Sequence, residues 1–510
     1  MHLDRPTWIP SLAILLSIGA GLSACAVEAD DPSGVAASPI ARMAPPSEDV
    51  VAPSCPPGTV ELSSCGGENA LAGVAGIIAP PPLECSTDCV PVVDSCDPSA
   101  TAGATLFSLS FAKLEDQQQY AVTIDASGNT ILSGTTRDPL SGAYSVEVHA
   151  VSPAGVVLWS HTKATPSWTR TSVATDASGA VLVATAWGLL KLDAGGNALW
   201  WRAATAGTIH PPRVAVDGNG NVLYGGSFYN TFDLGLGPVT SKGGRDIYLA
   251  KLDATGKLLW NKQFGAADEQ MLEEIAVGPS GAVALTGGFK KSVSFGGPTL
   301  YSGGVGAFLA ELSANGAHLW SRALVGTAPV YAYGLGVDAA GNVVIGGVLN
   351  GSADFGGGTL SSAGSNDAFI AKFDHLGAHV WSQRFGDEHP QYVESLAVDP
   401  GGNIAIVGAN MGFGEEDGDD GKPGIVDFGG GALVSHGGID VVVAKFDAFG
   451  AHVYSKIFGG GTNEGSNSVA MGPDGSVAMA FDLNAQPVDF CLGPVSSIDP
   501  WDQVLVKFAP

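Results

Sequence analysis

The chain has 510 residues, with 50 acids against 23 bases and a formal charge of −27. Such a field repels nucleic acid, and no Lys/Arg cluster is present to track a phosphate backbone. It also opposes adhesion of the protein surface to an anionic membrane, and leaves cations, basic partners and neutral glycans compatible.

Residues 1–24 read as an export segment. Arg5 stands in a short polar start, and SLAILLSIGAGLSA (11–24) is the apolar run. Leu22-Ser23-Ala24-Cys25 follows at once and resembles the lipobox of bacterial lipoproteins. The resemblance implies that Cys25 is diacylated and becomes the mature N-terminus; an ordinary small-residue cleavage site is the alternative. Ala26, where an Asp would signal retention, implies the outer membrane. No later stretch is long and apolar enough to span a bilayer, so the body is expected to be anchored, not inserted.

Residues 25–103 are rich in Pro, Ala, Ser, Val and acids and keep no strand or helix period. They are expected to form a disordered, semi-extended tether. Cys55, Cys65, Cys85, Cys89 and Cys96 interrupt it, and Cys491 lies far downstream. In an exported protein six such cysteines favour disulfides over metal. Five in the tether leave one over. Cys491 stands where Gly356 and Gly429 stand in sister repeats. The expectations are a bridge from the tether to Cys491, local tether pairs, or a free buried Cys491. Cys85-x3-Cys89 with Cys96 lacks an accompanying His, against metal.

Residues 104–510 repeat. Trp260, Trp320, Trp381 and Tyr454 mark one position, and Trp159 and Trp200 mark earlier copies. Each closes an apolar run that follows a Gly turn such as DATG or DAFG, a β-hairpin pattern. A second hairpin precedes it, with turns at Asp125, Asp176, Asp217, Gly278, Asp338, Asp399 and Gly472. A connection such as DFGG joins the hairpins, carrying Leu234, Phe295, Phe355, Phe428 or Phe490. Seven units of four strands predict an all-β, seven-bladed β-propeller. Phe107 and Phe111 share the spacing of Trp260 and Phe264, so an N-terminal strand is expected to close the ring and remove two sheet edges.

The AVD-x-x-GN, DFGG and W-S-x-x-F-G elements resemble the bacterial seven-bladed β-propeller repeat family, known as SBBP repeats. The resemblance covers residues 104–510 and is strongest from residue 214 onward. It implies the fold and an extracytoplasmic setting, without a single activity.

The sixth unit carries an insertion with Glu415, Glu416, Asp417, Asp419 and Asp420. Clustered carboxylates supply the oxygen ligands that calcium takes; a solvated acidic loop is the plainer reading. No other cofactor is indicated. His318, His379 and His452 recur at one repeat position and should lie far apart. His210, His375, His389 and His436 lack metal-ligand spacing. Lys251, Lys372, Lys445 and Lys507 share one strand position, with Glu311 in the fourth unit, and the turn aspartates serve backbone bonding. No catalytic motif stands out. The expected function is a monomeric, surface-anchored propeller that binds or scaffolds an extracellular protein or glycan. The alternative is an exported enzyme, a polysaccharide hydrolase or lyase or a quinone-dependent dehydrogenase, with its site at the channel mouth. Titratable side chains converging from several blades would favour the enzyme.

Overall fold

The computed structural model describes residues 59–63, 87–91, 96, 101–111, 116–412, 422–484, 486–496 and 502–510. Its turns form where the sequence repeats Asp-x-x-Gly. In the third unit Asp217 Oδ1 accepts the N–H groups of Asn219 and Asn221, both at 2.9 Å, and Gly220 takes a φ of 75°. The carboxylate fixes the turn, and glycine accepts the left-handed conformation that a side chain resists.

These turns generate seven four-stranded antiparallel sheets. Blade one comprises Asp116–Ile124, Thr130–Arg137, Tyr144–Val151 and Val157–Thr165. Blade two comprises Thr171–Thr175, Val181–Thr185, Gly188–Leu192 and Ala198–Ala203. Blades three to six begin with His210–Val216, Gln270–Val277, Val330–Val337 and Gln391–Val398. Their outer strands are Leu258–Phe264, His318–Leu324, His379–Phe385 and His452–Phe458. Blade seven takes Gly465–Met471, Val477–Leu483 and Asp502–Phe508 from the C-terminal end and Thr105–Ser110 from the N-terminal side.

The expectation of a ring closed by a strand is corrected here. Among the described residues no sheet is closed by hydrogen bonds; each of the seven is an open ladder with two edges. Thr105–Ser110 pairs with Asp502–Phe508 and is itself the outer edge of its sheet, so it removes no edge. The physical reason is that radial sheets meet face to face, through side chains. Blades seven and one meet through Phe107, Ala470, Ala478, Ala480 and Leu505 against Val122, Ile124 and Leu132. The wholly disordered tether is corrected as well, because Thr59–Ser63 pairs antiparallel with Thr87–Pro91.

The repeated apolar side chains of the connections fill the spaces between sheets. Leu234, Phe295, Phe355, Phe428 and Phe490 are all buried. Two of the marker tryptophans also donate their indole N–H at short range to a main-chain carbonyl of the next blade: Trp159 to Ala194 at 2.9 Å, Trp260 to Ala314 at 3.0 Å. The repeated lysines do the same. Lys251 Nζ lies 2.8 Å from Asp217 Oδ2 and donates to the Ala314 carbonyl at 3.2 Å. Lys372 repeats this with Asp338 and Ala448, and Lys191 with Asp176 and Ala254. Blade four, whose turn begins with Gly278, has Glu311 in the lysine's place, and Glu311 accepts the Trp320 indole N–H at 2.7 Å. The turn aspartates therefore hold both a turn and a buried cation that spans two blades.

Candidate functional site

The first strand of each blade lies innermost, and these strands neighbour one another around the axis. In blades four, five and six the ladder to the second strand slips by one residue. The slips fall between Leu272 and Glu274, Ala332 and Gly334, and Val393 and Ser395. A bulge takes its extra residue out of the ladder and re-aims the side chain. The extra residues are Glu273, Tyr333 and Glu394. In blade three the slip spans Pro211 and Pro212, between His210 and Arg213. Proline has no N–H for the ladder, so pairing opens there.

Arg213 reaches across the boundary between blades three and four. Its Nε lies 3.2 Å from Glu274 Oε2 and its Nη2 4.0 Å from Glu273 Oε2. It also donates to the Glu273 main-chain carbonyl. Burial pushes the Glu273 carboxyl up, against the charges of Arg213, Arg170 and Arg245. Burial raises Glu274 too, opposed by Arg213 and by the Ile275 N–H.

His210 opens the first strand of blade three and is exposed. Desolvation by neighbouring protein, with the like charges of Arg245 and Arg170, lowers its imidazole to about 4. The Arg245 guanidinium lies 4.7 Å from the centre of the Tyr229 ring, whose hydroxyl bonds Glu269 at 3.0 Å. On the first strand of blade five the rings of Tyr331 and Tyr333 stack in parallel, 6.2 Å apart. Burial, then Glu273, Tyr331, Glu394 and Tyr392, raise the Tyr333 hydroxyl well above its ordinary value.

The residues singled out in the sequence fall elsewhere. His318, His379 and His452 sit in three blades, each 3.0 Å from its own Ser321, Ser382 or Ser455. Cys96 and Cys491 form a disulfide, with Cα atoms 5.1 Å apart. Cys491 adopts a φ of 71° where Gly356 and Gly429 have 112° and 106°, so a side chain occupies a glycine position. Cys89 falls within Thr87–Pro91. Cys25, Cys55, Cys65, Cys85 and the acidic loop Glu415, Glu416, Asp417, Asp419 and Asp420 lie outside the described residues. Among the described residues no group of three or more His, Cys, Asp or Glu is placed to hold a metal ion.

Sequence reasoning missed Arg213, Arg245, Glu273, Glu274, Tyr333 and Glu394. A signal exists: Glu273, Tyr333 and Glu394 each stand five residues before the turn, and polar side chains recur there amid apolar strand text.

No family model matches the chain, and no curated protein matches it. Among solved structures it is similar to a protein of unknown function from Bacteroides caccae, with 14% identity over 66% of this chain and 93% of that one, TM-score 0.35. It is similar to a gluconolactonase from Xanthomonas campestris, with 15% identity over 59% and 96%, TM-score 0.30. It is also similar to an apocarotenoid oxygenase from Synechocystis, with 10% identity over 81% and 94%, TM-score 0.37. The likeness is one of fold alone.

Proposed function

We propose that this protein is an exported, polysaccharide-degrading enzyme, anchored in the outer membrane through a lipidated Cys25, with its site at the mouth of the propeller channel. The observation that supports this most is the meeting of Arg213 with Glu273 and Glu274 across two blades, beside His210, Tyr333 and Glu394 on neighbouring inner strands. Enclosing such groups costs stability, and an apolar plug would close the channel better. Glu273, kept toward its acid form, serves as the proton donor to a departing sugar oxygen. An ionised or neutral base on the facing strands takes the complementary proton.

The test is release of reducing ends from a panel of neutral and acidic polysaccharides by the purified full-length protein. Depolymerisation of any of them supports the enzyme. Binding without turnover across the panel would instead favour a glycan receptor, a reading to which the stacked pair Tyr331 and Tyr333 lends itself. The anchor is tested separately: Cys25→Ser should move the protein from the membrane fraction to the soluble one, and an unchanged distribution would remove lipidation.

A further inference from the structure

Every outer strand begins with the same irregularity. Its ladder to the third strand slips by one residue at Leu106, Leu158, Leu199, Leu259, Leu319, Val380 and Val453, one in each of the seven sheets. The slip takes that residue out of the ladder, and all seven side chains are exposed. A bulge that only guarded an open sheet edge would carry lysine or another charge. Each of these carries Leu or Val instead. Of the sixteen exposed large apolar side chains among the described residues, eleven stand in the first residues of these strands or in the turns just before them. This end of the sheets is opposite to the end at which His210 opens its strand.

The apolar groups run together across blades four to six. Trp320 of blade four reaches the blade-five turn, donating to the His375 carbonyl at 3.3 Å, and that turn exposes Leu376. A Cβ on Gly450 of the blade-six turn would meet the Trp381 ring at 3.2 Å, and that turn exposes Phe449. Leu319, Leu376, Val380, Phe449 and Val453 thus follow one another along the rim, with Leu376 70% and Phe449 83% exposed. Two carboxylates are set among them. Asp374 Oδ1 accepts the N–H groups of Leu376 and Ala378 at 2.9 and 2.8 Å. Asp447 Oδ1 accepts those of Phe449 and Ala451 at 2.8 and 2.9 Å. Each turn thereby fixes its carboxylate and leaves Oδ2 without an internal donor among the described residues. Nearby bases are engaged elsewhere: Lys372 with Asp338, Arg384 with Asp367, and Arg322 over the Phe373 ring, while Lys456 is buried.

We propose that this strip docks an extended segment of a partner protein, with apolar side chains on its Leu, Val and Phe groups and Lys or Arg on Asp374 and Asp447. The proposal stands apart from the enzyme reading. Charge complementarity selects the occupant. The chain carries −27, and its exposed apolar strip is dotted with carboxylates, so a basic, apolar segment fits both features. A second copy would set the acids of one rim against those of the other, and an anionic lipid surface would meet the same repulsion.

The experiment titrates the full-length protein into short labelled peptides of alternating Leu and Lys, Ser and Lys, or Leu and Glu, with neutral phosphatidylcholine vesicles as a separate arm. The expected result is that the Leu–Lys peptide binds and the other probes do not. Leu376→Ser combined with Phe449→Ser should weaken that binding about 10-fold or more. Asp374→Asn combined with Asp447→Asn keeps an oxygen for the turn N–H groups and should weaken it about 3-fold, a loss that shrinks at high salt. Leu140→Ser, on an exposed loop of blade one, should change nothing. Equal binding of the Ser–Lys peptide would mean that charge alone attracts it and would overturn the strip. An unchanged Leu–Lys affinity in the variant lacking Leu376 and Phe449 would place binding elsewhere and overturn it as well. Binding to vesicles without binding to the peptide would make the strip a lipid contact and overturn the protein partner. No binding to any probe would overturn the proposal outright.

Discussion

Glu464→Gln isolates one buried carboxyl whose ionisation the fold opposes. Glu464 is fully buried in blade seven, where its Oε1 accepts the Thr462 hydroxyl at 2.8 Å and its Oε2 the Gly460 N–H at 3.3 Å. At the same repeat position stand Gln270 and Gln391, whose Oε1 atoms accept the N–H groups of Ala266 and Asp387. A glutamine amide therefore fits this place. Burial, reinforced by the neighbouring Asp440 carboxylate, raises Glu464 from 4.5 to about 7. A folded-state value above the unfolded one means that the stability Glu464 contributes is complete below pH 4.5 and is lost as pH rises through 7. The full shift corresponds to a ceiling of about 3 kcal/mol, at about 1.4 kcal/mol per pH unit. Relaxation and water entry bring the expected gain from the substitution to about 1–2 kcal/mol at pH 8. For a domain of about 400 residues that is about 1–2 °C in melting temperature. The assay is thermal unfolding of both proteins from pH 5 to pH 8. The variant should match the wild type at pH 5 and exceed it at pH 8. A difference that does not change with pH would refute the reasoning.

Other substitutions test the packing. Lys251→Met leaves the Asp217 carboxylate buried without its cation and should destabilise by about 3–5 kcal/mol; adding Asp217→Asn should recover part of the loss in denaturant unfolding. Gly357→Ala places a Cβ 2.1 Å from the His379 ring and should cost about 1–3 kcal/mol, with His379→Ala relieving it. Cys491→Ser removes the bridge to Cys96 across 395 residues of sequence and should lower stability by about 2–4 kcal/mol; non-reducing peptide mapping should find the linked peptide in the wild type only.

What could be read from the sequence was periodic and local. The Asp-x-x-Gly turns, the marker tryptophans and the phenylalanines of the connections recur in most units, so one copy explains the others. Cys491 was legible as the odd residue among sister glycines. The ring's closure was misread because pairing Thr105–Ser110 with Asp502–Phe508 fills a place inside one sheet; neighbouring sheets join through packed side chains, which leave no ladder pattern in sequence. The lysines were half legible. Their shared strand position was visible, but their partners Asp217 and Asp338 are one strand away, and only the joint change to Gly278 and Glu311 in blade four hints at the link. The channel cluster was not legible. Arg213, Glu273 and Tyr333 lie in separate units, and bulges turn the last two against the strand alternation that sequence reading assumes.

The channel as a working site is tested most directly by kcat/KM on the best polysaccharide substrate for wild type and Glu273→Gln, with Glu311→Gln as a control remote from the channel. The account predicts a loss of about 100-fold or more for Glu273→Gln at an unchanged melting temperature, and a control rate like that of the wild type. A folded Glu273→Gln protein that retains the wild-type rate would contradict it.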